Sequence, residues 1–219
     1  MQINRAIVKT PCKSIVNGIT SARLGKPIYE KAVEQHKNYI LALEECGVKV
    51  TILEKNEQFP DSVFVEDAAV LTKECAIITN PGAESRKGEE ESVEKALRLF
   101  YDNIEYIEYP GTLEGGDIMQ VNNYFYIGIS ERTNLEGARQ LTSILEKCGY
   151  TASMVKLQEY LHLKTGVSYI GDNTLITAGE CKNKEEFKDF KRIELDDDES
   201  YCANCIKVLS PIYETPVLR

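Results

Sequence analysis

The sequence is short of histidine, of clustered positive charge and of long apolar runs, and each shortage argues against a class of function. Only two histidines, His36 and His162, occur in 219 residues, too few for a histidine-rich metal centre. Lys and Arg number 26 against 35 Asp and Glu, a net charge of −9. Phosphate backbones are met by gathered basic side chains, so nucleic acid is not an expected partner, and a compact cationic ligand fits better than a polyanion. No run approaches the roughly 20 apolar residues that cross a bilayer, and the stretch Met1-Gln2-Ile3-Asn4-Arg5-Ala6 lacks the apolar core of a signal peptide. A soluble cytoplasmic protein without a membrane partner is expected. The seven cysteines, Cys12, Cys46, Cys75, Cys148, Cys181, Cys202 and Cys205, are odd in number and scattered, unlike a secreted disulfide framework. Cys202 and Cys205 form a C-x-x-C with no second pair, so zinc is not expected and core packing is favoured over a redox dithiol. No Pro/Gly/Ser-rich stretch divides the chain, and 42% hydrophobic content can fill a sizeable core, so residues 1–219 read as one domain.

What the chain does contain is acid in unusual places. Phe64-Val65-Glu66-Asp67-Ala68-Ala69-Val70 and Leu113-Glu114-Gly115-Gly116-Asp117-Ile118 place carboxylates inside strand-like apolar runs. A buried carboxylate costs several kcal/mol unless a cation meets it. With no basic residue nearby in sequence, these four acids point to a cation supplied by a ligand.

Around them the pattern is α/β. Helical stripes run from Tyr29 to Leu43 ahead of Gly47, from about Lys87 to Phe100 behind an acidic first turn, and from the N-cap candidate Asn134 to just before Gly149. A shorter, weaker stripe covers Lys184 to Phe190. Strands are expected at Arg5–Lys9, Val48–Leu53, Cys75–Thr79, Tyr124–Gly128 and Thr174–Thr177. From Phe64 the order is strand, strand, helix, strand. It restarts at Asp117, near Val167 and at Ala203, a period of roughly forty to fifty residues that marks repeated supersecondary units. The first unit has one strand before its helix, and the last runs out after Val208.

Each acid or base has two readings. Glu66 and Asp67 read as cation ligands or as a solvated strand end. Glu114-Gly115-Gly116-Asp117 reads as part of a site or as a turn whose glycines supply positive φ. His162, between Leu161 and Leu163, reads as catalyst or core histidine, while His36 sits on an apolar stripe where packing is favoured. Arg86 either binds a ligand or bridges to the helix that follows it, and Arg132 either binds a ligand or pairs with Glu131 or Glu136.

Taken together, Ala22-Arg23-Leu24, Phe59-Pro60-Asp61-Ser62-Val63-Phe64-Val65-Glu66-Asp67, Pro81-Gly82-Ala83-Glu84-Ser85-Arg86, Leu113-Glu114-Gly115-Gly116-Asp117, Ser130-Glu131-Arg132-Thr133-Asn134, Leu161-His162-Leu163-Lys164 and Ala203-Asn204-Cys205-Ile206 resemble the dimethylarginine dimethylaminohydrolases. These belong to the guanidine-modifying superfamily that includes arginine deiminase and the amidinotransferases. The resemblance covers nearly all of residues 1–208. It implies the pentein fold, an α/β propeller of ββαβ units about a pseudo-fivefold axis, here with its last unit incomplete. It also implies hydrolysis of dimethylarginine to citrulline and dimethylamine without metal or organic cofactor. By matching position, Glu66 and Asp67 would grip the guanidinium, Asp61 and the backbone of Leu24 the amino end, and Arg86 and Arg132 the α-carboxylate. A cysteine thiolate would attack the guanidinium carbon, His162 would protonate the leaving amine and then activate water, and Glu114 would orient and charge the histidine.

The family's nucleophilic cysteine lies near its C-terminus, and the segment from Ser210 to Arg219 does not match it. Cys205 matches a different cysteine. The expectation is a C-terminally incomplete pentein with substrate-gripping residues and acid/base but no attacking thiol, weak or inactive as an enzyme, with an open sheet edge that favours a homodimer. A non-catalytic pentein that binds guanidino compounds, or a pentein scaffold, is the rival from another class. An arginine deiminase-like enzyme is the other alternative, although that family carries an additional helical domain for which this chain has no room.

Overall fold

The computed structural model describes residues 3–20 and 25–208. These form two compact units, one of the residues up to Val63 with Val208, the other Phe64–Lys207. Leu24 with Ala22 and Arg23, and the segment from Ser210 onward, lie outside the described residues.

In the first unit, β1 (Arg5–Lys9) and β2 (Lys49–Leu53) pair in parallel, Arg5 opposite Lys49 and Lys9 opposite Leu53. Parallel neighbours need a crossover, and α1 (Tyr29–Glu45) supplies it. The helix buries Leu43 against Val8 and Val48. It stops where the stripe predicts, and Gly47 turns the chain back with φ of +81°, a left-handed conformation that favours glycine.

The second unit repeats one design three times. β3 (Ala69–Leu71) runs antiparallel to β4 (Ala76–Ile78), and β5 (Ile104–Tyr106) lies parallel to β4. β6 (Ile118–Val121), β7 (Tyr124–Ile129) and β8 (Thr151–Lys156) repeat this arrangement. β9 (Val167–Gly171), β10 (Thr174–Thr177) and β11 (Lys191–Glu194) repeat it again. The first strands start evenly at Ala69, Ile118 and Val167, as the sequence period requires. The first two crossovers are α2 (Glu90–Leu97) and α3 (Leu135–Lys147). The side chain of Asn134 caps α3 by accepting from Gly137 N at 2.8 Å, and Ala138, Leu141, Ile144 and Leu145 form its buried face.

The third crossover departs from expectation. Lys184 to Phe190 forms no α-helix; the crossover is made of 3-10 turns at Gly179–Asn183 and Glu185–Phe187. Burial of Phe187 fixes the chain in this form. The acidic runs differ as well. Val65–Ala68 and Gly115–Asp117 are 3-10 turns leading into β3 and β6, so the acids precede the strands rather than interrupt them.

Two apolar clusters hold this unit together. One gathers Ile77, Leu113, Phe125, Ile127, Leu141 and Leu145; the other gathers Met119, Val155, Leu163, Val167, Leu175 and Phe187. All seven cysteines are free thiols. Cys202 is exposed rather than part of a core, and Cys205 is half-buried. Among the described residues, no helix is long and apolar enough to cross a membrane.

Candidate active site

The two 3-10 turns and the segment before β9 bring the acidic residues and His162 together. Asp67 is buried, with Oδ1 accepting from Gly116 N at 2.8 Å and Oδ2 accepting from Arg86 Nη1 at 2.6 Å. Glu114 is fully buried; Oε1 accepts from Gly82 N at 3.1 Å and Oε2 from Arg86 Nη1 at 3.2 Å. Arg132 approaches the same carboxylate, with Nη1 3.6 Å from Oε1. His162 immediately precedes α4 (Leu163–Gly166), a single turn. Its Nε2 faces Glu114 Oε2 at 3.5 Å and Asp67 Oδ1 at 3.9 Å, and its Nδ1 faces Asp117 Oδ2 at 3.4 Å.

Glycine makes the approach possible. A Cβ on Gly116 would stand 2.8 Å from Asp67 Oδ1 and from His162 Cγ, and one on Gly115 would overlap Glu66 O. Neither glycine has positive φ, so what they provide is space, not the conformational freedom expected from the sequence.

The expectation that these acids lack a basic partner is overturned. Arg86 is distant in sequence yet buried among them, joining Asp67 and Glu114 through Nη1 and Glu89 through Nε and Nη2 at 3.0 and 2.9 Å. Nη2 also donates to Phe64 O. Burial works against the charge of Arg86, but Asp67 and Glu89 outweigh it and hold the guanidinium proton more tightly than usual. Arg86 therefore both bridges to Glu89, ahead of α2, and enters the site. Arg132 pairs with Glu114 rather than with either sequence neighbour considered for it.

Asp67, Glu114 and His162 each bring a donor atom within 4.8 Å of the others, close enough to share a cation. In this structure the cation on both carboxylates is Arg86. Even so, four buried carboxyl groups, Asp67, Glu89, Glu114 and Asp117, stand against two guanidinium groups. The excess of acid acts on His162. Burial pushes its pKa down, but Asp117 with the charges of Asp67 and Glu114 lifts it above its ordinary 6.5.

The structure thus gathers Asp67, Arg86, Glu114, Arg132 and His162. Glu66 is exposed beside them and pairs with Lys164 at 2.7 Å. Asp61 belongs to the other unit, where its carboxylate accepts from Ile19 N at 3.0 Å. From sequence, Asp117 counts among the four acids that await a cation but is given no role of its own, and Glu89, Ser130 and Thr133 are not read as site residues. Ser130 and Thr133 share the Ser130–Asn134 motif with Arg132, which is the signal that could have found them, and nothing in the sequence marks Glu89.

These features match known proteins. A family model described as N,N dimethylarginine dimethylhydrolase, eukaryotic, matches residues 18–202. An N(G),N(G)-dimethylarginine dimethylaminohydrolase from Pseudomonas aeruginosa is 56% identical over 203 residues, 92% of this chain and 80% of that protein. One from Streptomyces coelicolor is 36% identical, covering 80% of this chain and 69% of the relative. A solved structure of the Pseudomonas aeruginosa enzyme, a cysteine-to-serine variant complexed with citrulline, superposes with a TM-score of 0.94 at 55% identity, covering 95% of this chain and 82% of that one. The N-terminal domain of the cyanobacterial arginine dihydrolase ArgZ, at 17% identity and a TM-score of 0.83, shares the fold alone over 93% of this chain and 80% of that one.

The repeated units, two antiparallel strands, a crossover and a third parallel strand, are those of a pentein, the fold of the guanidine-modifying enzymes. Within that class, the chain belongs to the dimethylarginine dimethylaminohydrolase family of amidine hydrolases.

Proposed function

We propose that the site binds methylated arginine and serves its hydrolysis to citrulline and dimethylamine. The observation that carries this reading is the surplus of buried carboxyl groups around a histidine whose Nε2 faces two of them. A guanidinium is planar, permanently charged and rich in N–H donors, which suits it to paired carboxylates. In this reading Asp67, with Glu66 at the rim, grips the guanidinium, and Arg132 meets the α-carboxylate. Arg86 reaches that carboxylate only by releasing Asp67; as it stands, it secures the acids.

The chemistry needs a thiolate to add to the guanidinium carbon. His162, kept protonated by the acids around it, then gives its proton to the departing dimethylamine. The neutral imidazole next takes one proton from water as its oxygen attacks the carbon; the adduct expels the thiolate, releases its remaining hydroxyl proton to solvent and leaves citrulline. Glu114 steadies the charged ring. No metal or organic cofactor enters these steps. Among the described residues no cysteine joins Asp67, Glu114 and His162 in their cluster. We therefore expect the 219-residue chain, assayed alone, to bind substrate and to turn it over weakly or not at all.

Calorimetric titration with asymmetric dimethylarginine and with arginine, beside a citrulline assay on the same protein, tests both parts. Saturable binding that favours the methylated compound is the expected result; no binding of either refutes the assignment. Ready citrulline release from sequence-verified protein would refute the missing thiol and direct attention to Cys202 and Cys205.

A further inference from the structure

Asp117 is buried in the turn before β6 and is reached by three donors. Ser130 Oγ lies 2.7 Å and Thr133 Oγ1 2.6 Å from its Oδ2, and Leu163 N lies 3.0 Å from its Oδ1. The direction of the two hydroxyl protons follows from their other contacts. Ser130 Oγ already accepts from Arg132 N and Thr133 N, and Thr133 Oγ1 already accepts from Glu114 N. Both hydroxyls therefore donate to Asp117. Gly128 presses on the other side, where a Cβ would come within 2.9 Å of Oδ1. Three donors thus hold the carboxylate, and 3.4 Å from its Oδ2 stands His162 Nδ1. The atom is buried and has no well-aligned hydrogen-bond partner among the described residues, so Asp117 is the acceptor within reach.

We propose that Asp117 is the positioning residue of His162, holding the ring through Nδ1 so that Nε2 is presented to Asp67 and Glu114. A carboxylate behind one ring nitrogen fixes the tautomer and leaves the other nitrogen to handle the reaction's protons. Glu114 lies on the Nε2 side, the side of the chemistry, so orienting the ring falls to Asp117 while Glu114 supplies charge at the front. The same carboxylate also ties together the Ser130–Thr133 turn that carries Arg132. This inference rests on the proposed use of His162 as acid and base, but its test requires no substrate.

The test is nitrogen-15 and carbon-13 NMR of the full chain, in which the two histidines give two sets of ring signals. Above its midpoint, neutral His162 should carry its proton on Nδ1, the reverse of the tautomer an unheld imidazole prefers. In Asp117→Asn the His162 midpoint should fall by about one pH unit, the usual scale for losing a close opposite charge, while that of His36 stays put. An Nε2-protonated His162 in the unmodified protein would overturn the inference, and so would an unmoved midpoint in a folded Asp117→Asn. If that variant does not fold, the tautomer of the unmodified protein decides. A failed dimethylarginine titration beside an Nδ1-protonated His162 would reject the proposed substrate and keep the positioning role.

Discussion

Substituting alanine for Gly116 tests the site where Asp67 and His162 meet. The added methyl meets Asp67 Oδ1 and His162 Cγ at 2.8 Å and His162 Cδ2 at 3.0 Å, whereas ordinary contact begins near 3.4 Å. The acid and the imidazole must therefore separate by about 0.6 Å, and the 2.8 Å bond from Gly116 N to Asp67 Oδ1 is strained as they do. Two energies oppose each other. Overpacking costs about 1–3 kcal/mol, while removing a glycine from the unfolded chain returns about 0.4–1 kcal/mol where the backbone is unstrained, as it is here. Crowding wins, and at roughly 2–4 °C per kcal/mol for a chain of this size the melting temperature should drop by a few degrees. Affinity for dimethylarginine should fall with it, because both displaced groups belong to the proposed pocket. Gly149→Ala is the control: its site has φ of +82° and no atom within 4 Å of a built Cβ, so it should lower stability through backbone strain and leave affinity alone. Differential scanning calorimetry and ligand titration read both quantities. A Gly116→Ala protein as stable as the original, with unchanged affinity, would refute the claim that this glycine is required by space.

Three further outcomes follow from the charges. Arg86→Ala leaves Asp67, Glu89 and Glu114 buried without their shared cation and should cost about 3–5 kcal/mol in denaturant unfolding, while Arg86→Lys, which keeps the charge but loses the fork, should cost less. Because folding raises the pKa of His162, its charge stabilises the fold fully below pH 6.5 and ceases to do so as pH rises through the lifted value; unfolding measured across that range should show this decline, and His162→Gln should flatten it. Glu180 accepts from Gln158 N, Glu159 N, Tyr160 N and Lys184 Nζ; burial opposes its charge, but the ammonium and the amides hold its pKa down to about 2. Its contribution is present above about 4.5 and lost as pH falls through about 2, so Glu180→Gln should cost about 1.5–3 kcal/mol at neutral pH and remove that acid dependence.

The repeat was legible because its physics is local. Apolar stripes place three helices, Gly47 ending the first and Asn134 and Gly149 bracketing the third, and the even spacing of hairpins follows from strand patterning. The third crossover was misread because Phe187, at helical spacing, satisfies a helical stripe and a 3-10 turn equally well over so few residues. The turn at Val65–Ala68 is hidden in the sequence for the opposite reason, whereas at Glu114–Asp117 a turn is one of the two readings. The composition of Phe64–Val70 is largely that of a strand, and in the folded chain Asp67 reaches across to Gly116 N, a contact between segments far apart in sequence.

Charge balance was the least legible part of the site, and the reason is general. A buried acid announces that a cation lies near it but not which one. From the runs around Asp67 and Glu114 the missing charge was assigned entirely to a ligand, whereas Arg86 and Arg132, brought in from other turns, provide part of it. What they leave over is the functionally interesting quantity. If both arginines fully neutralised the cluster, His162 would feel burial alone and titrate below its ordinary range, poorly placed to give a proton to a leaving amine. Because acid remains in excess beside both ring nitrogens, His162 holds its proton more tightly than usual, and in the proposed reaction an incoming guanidinium meets carboxylates whose demand for a cation is only partly met. In the reaction proposed above, the same shortfall that would draw the guanidinium would also prepare the acid, and a guanidinium bound at Asp67 should ease the hold on the His162 proton at the step where that proton has to leave.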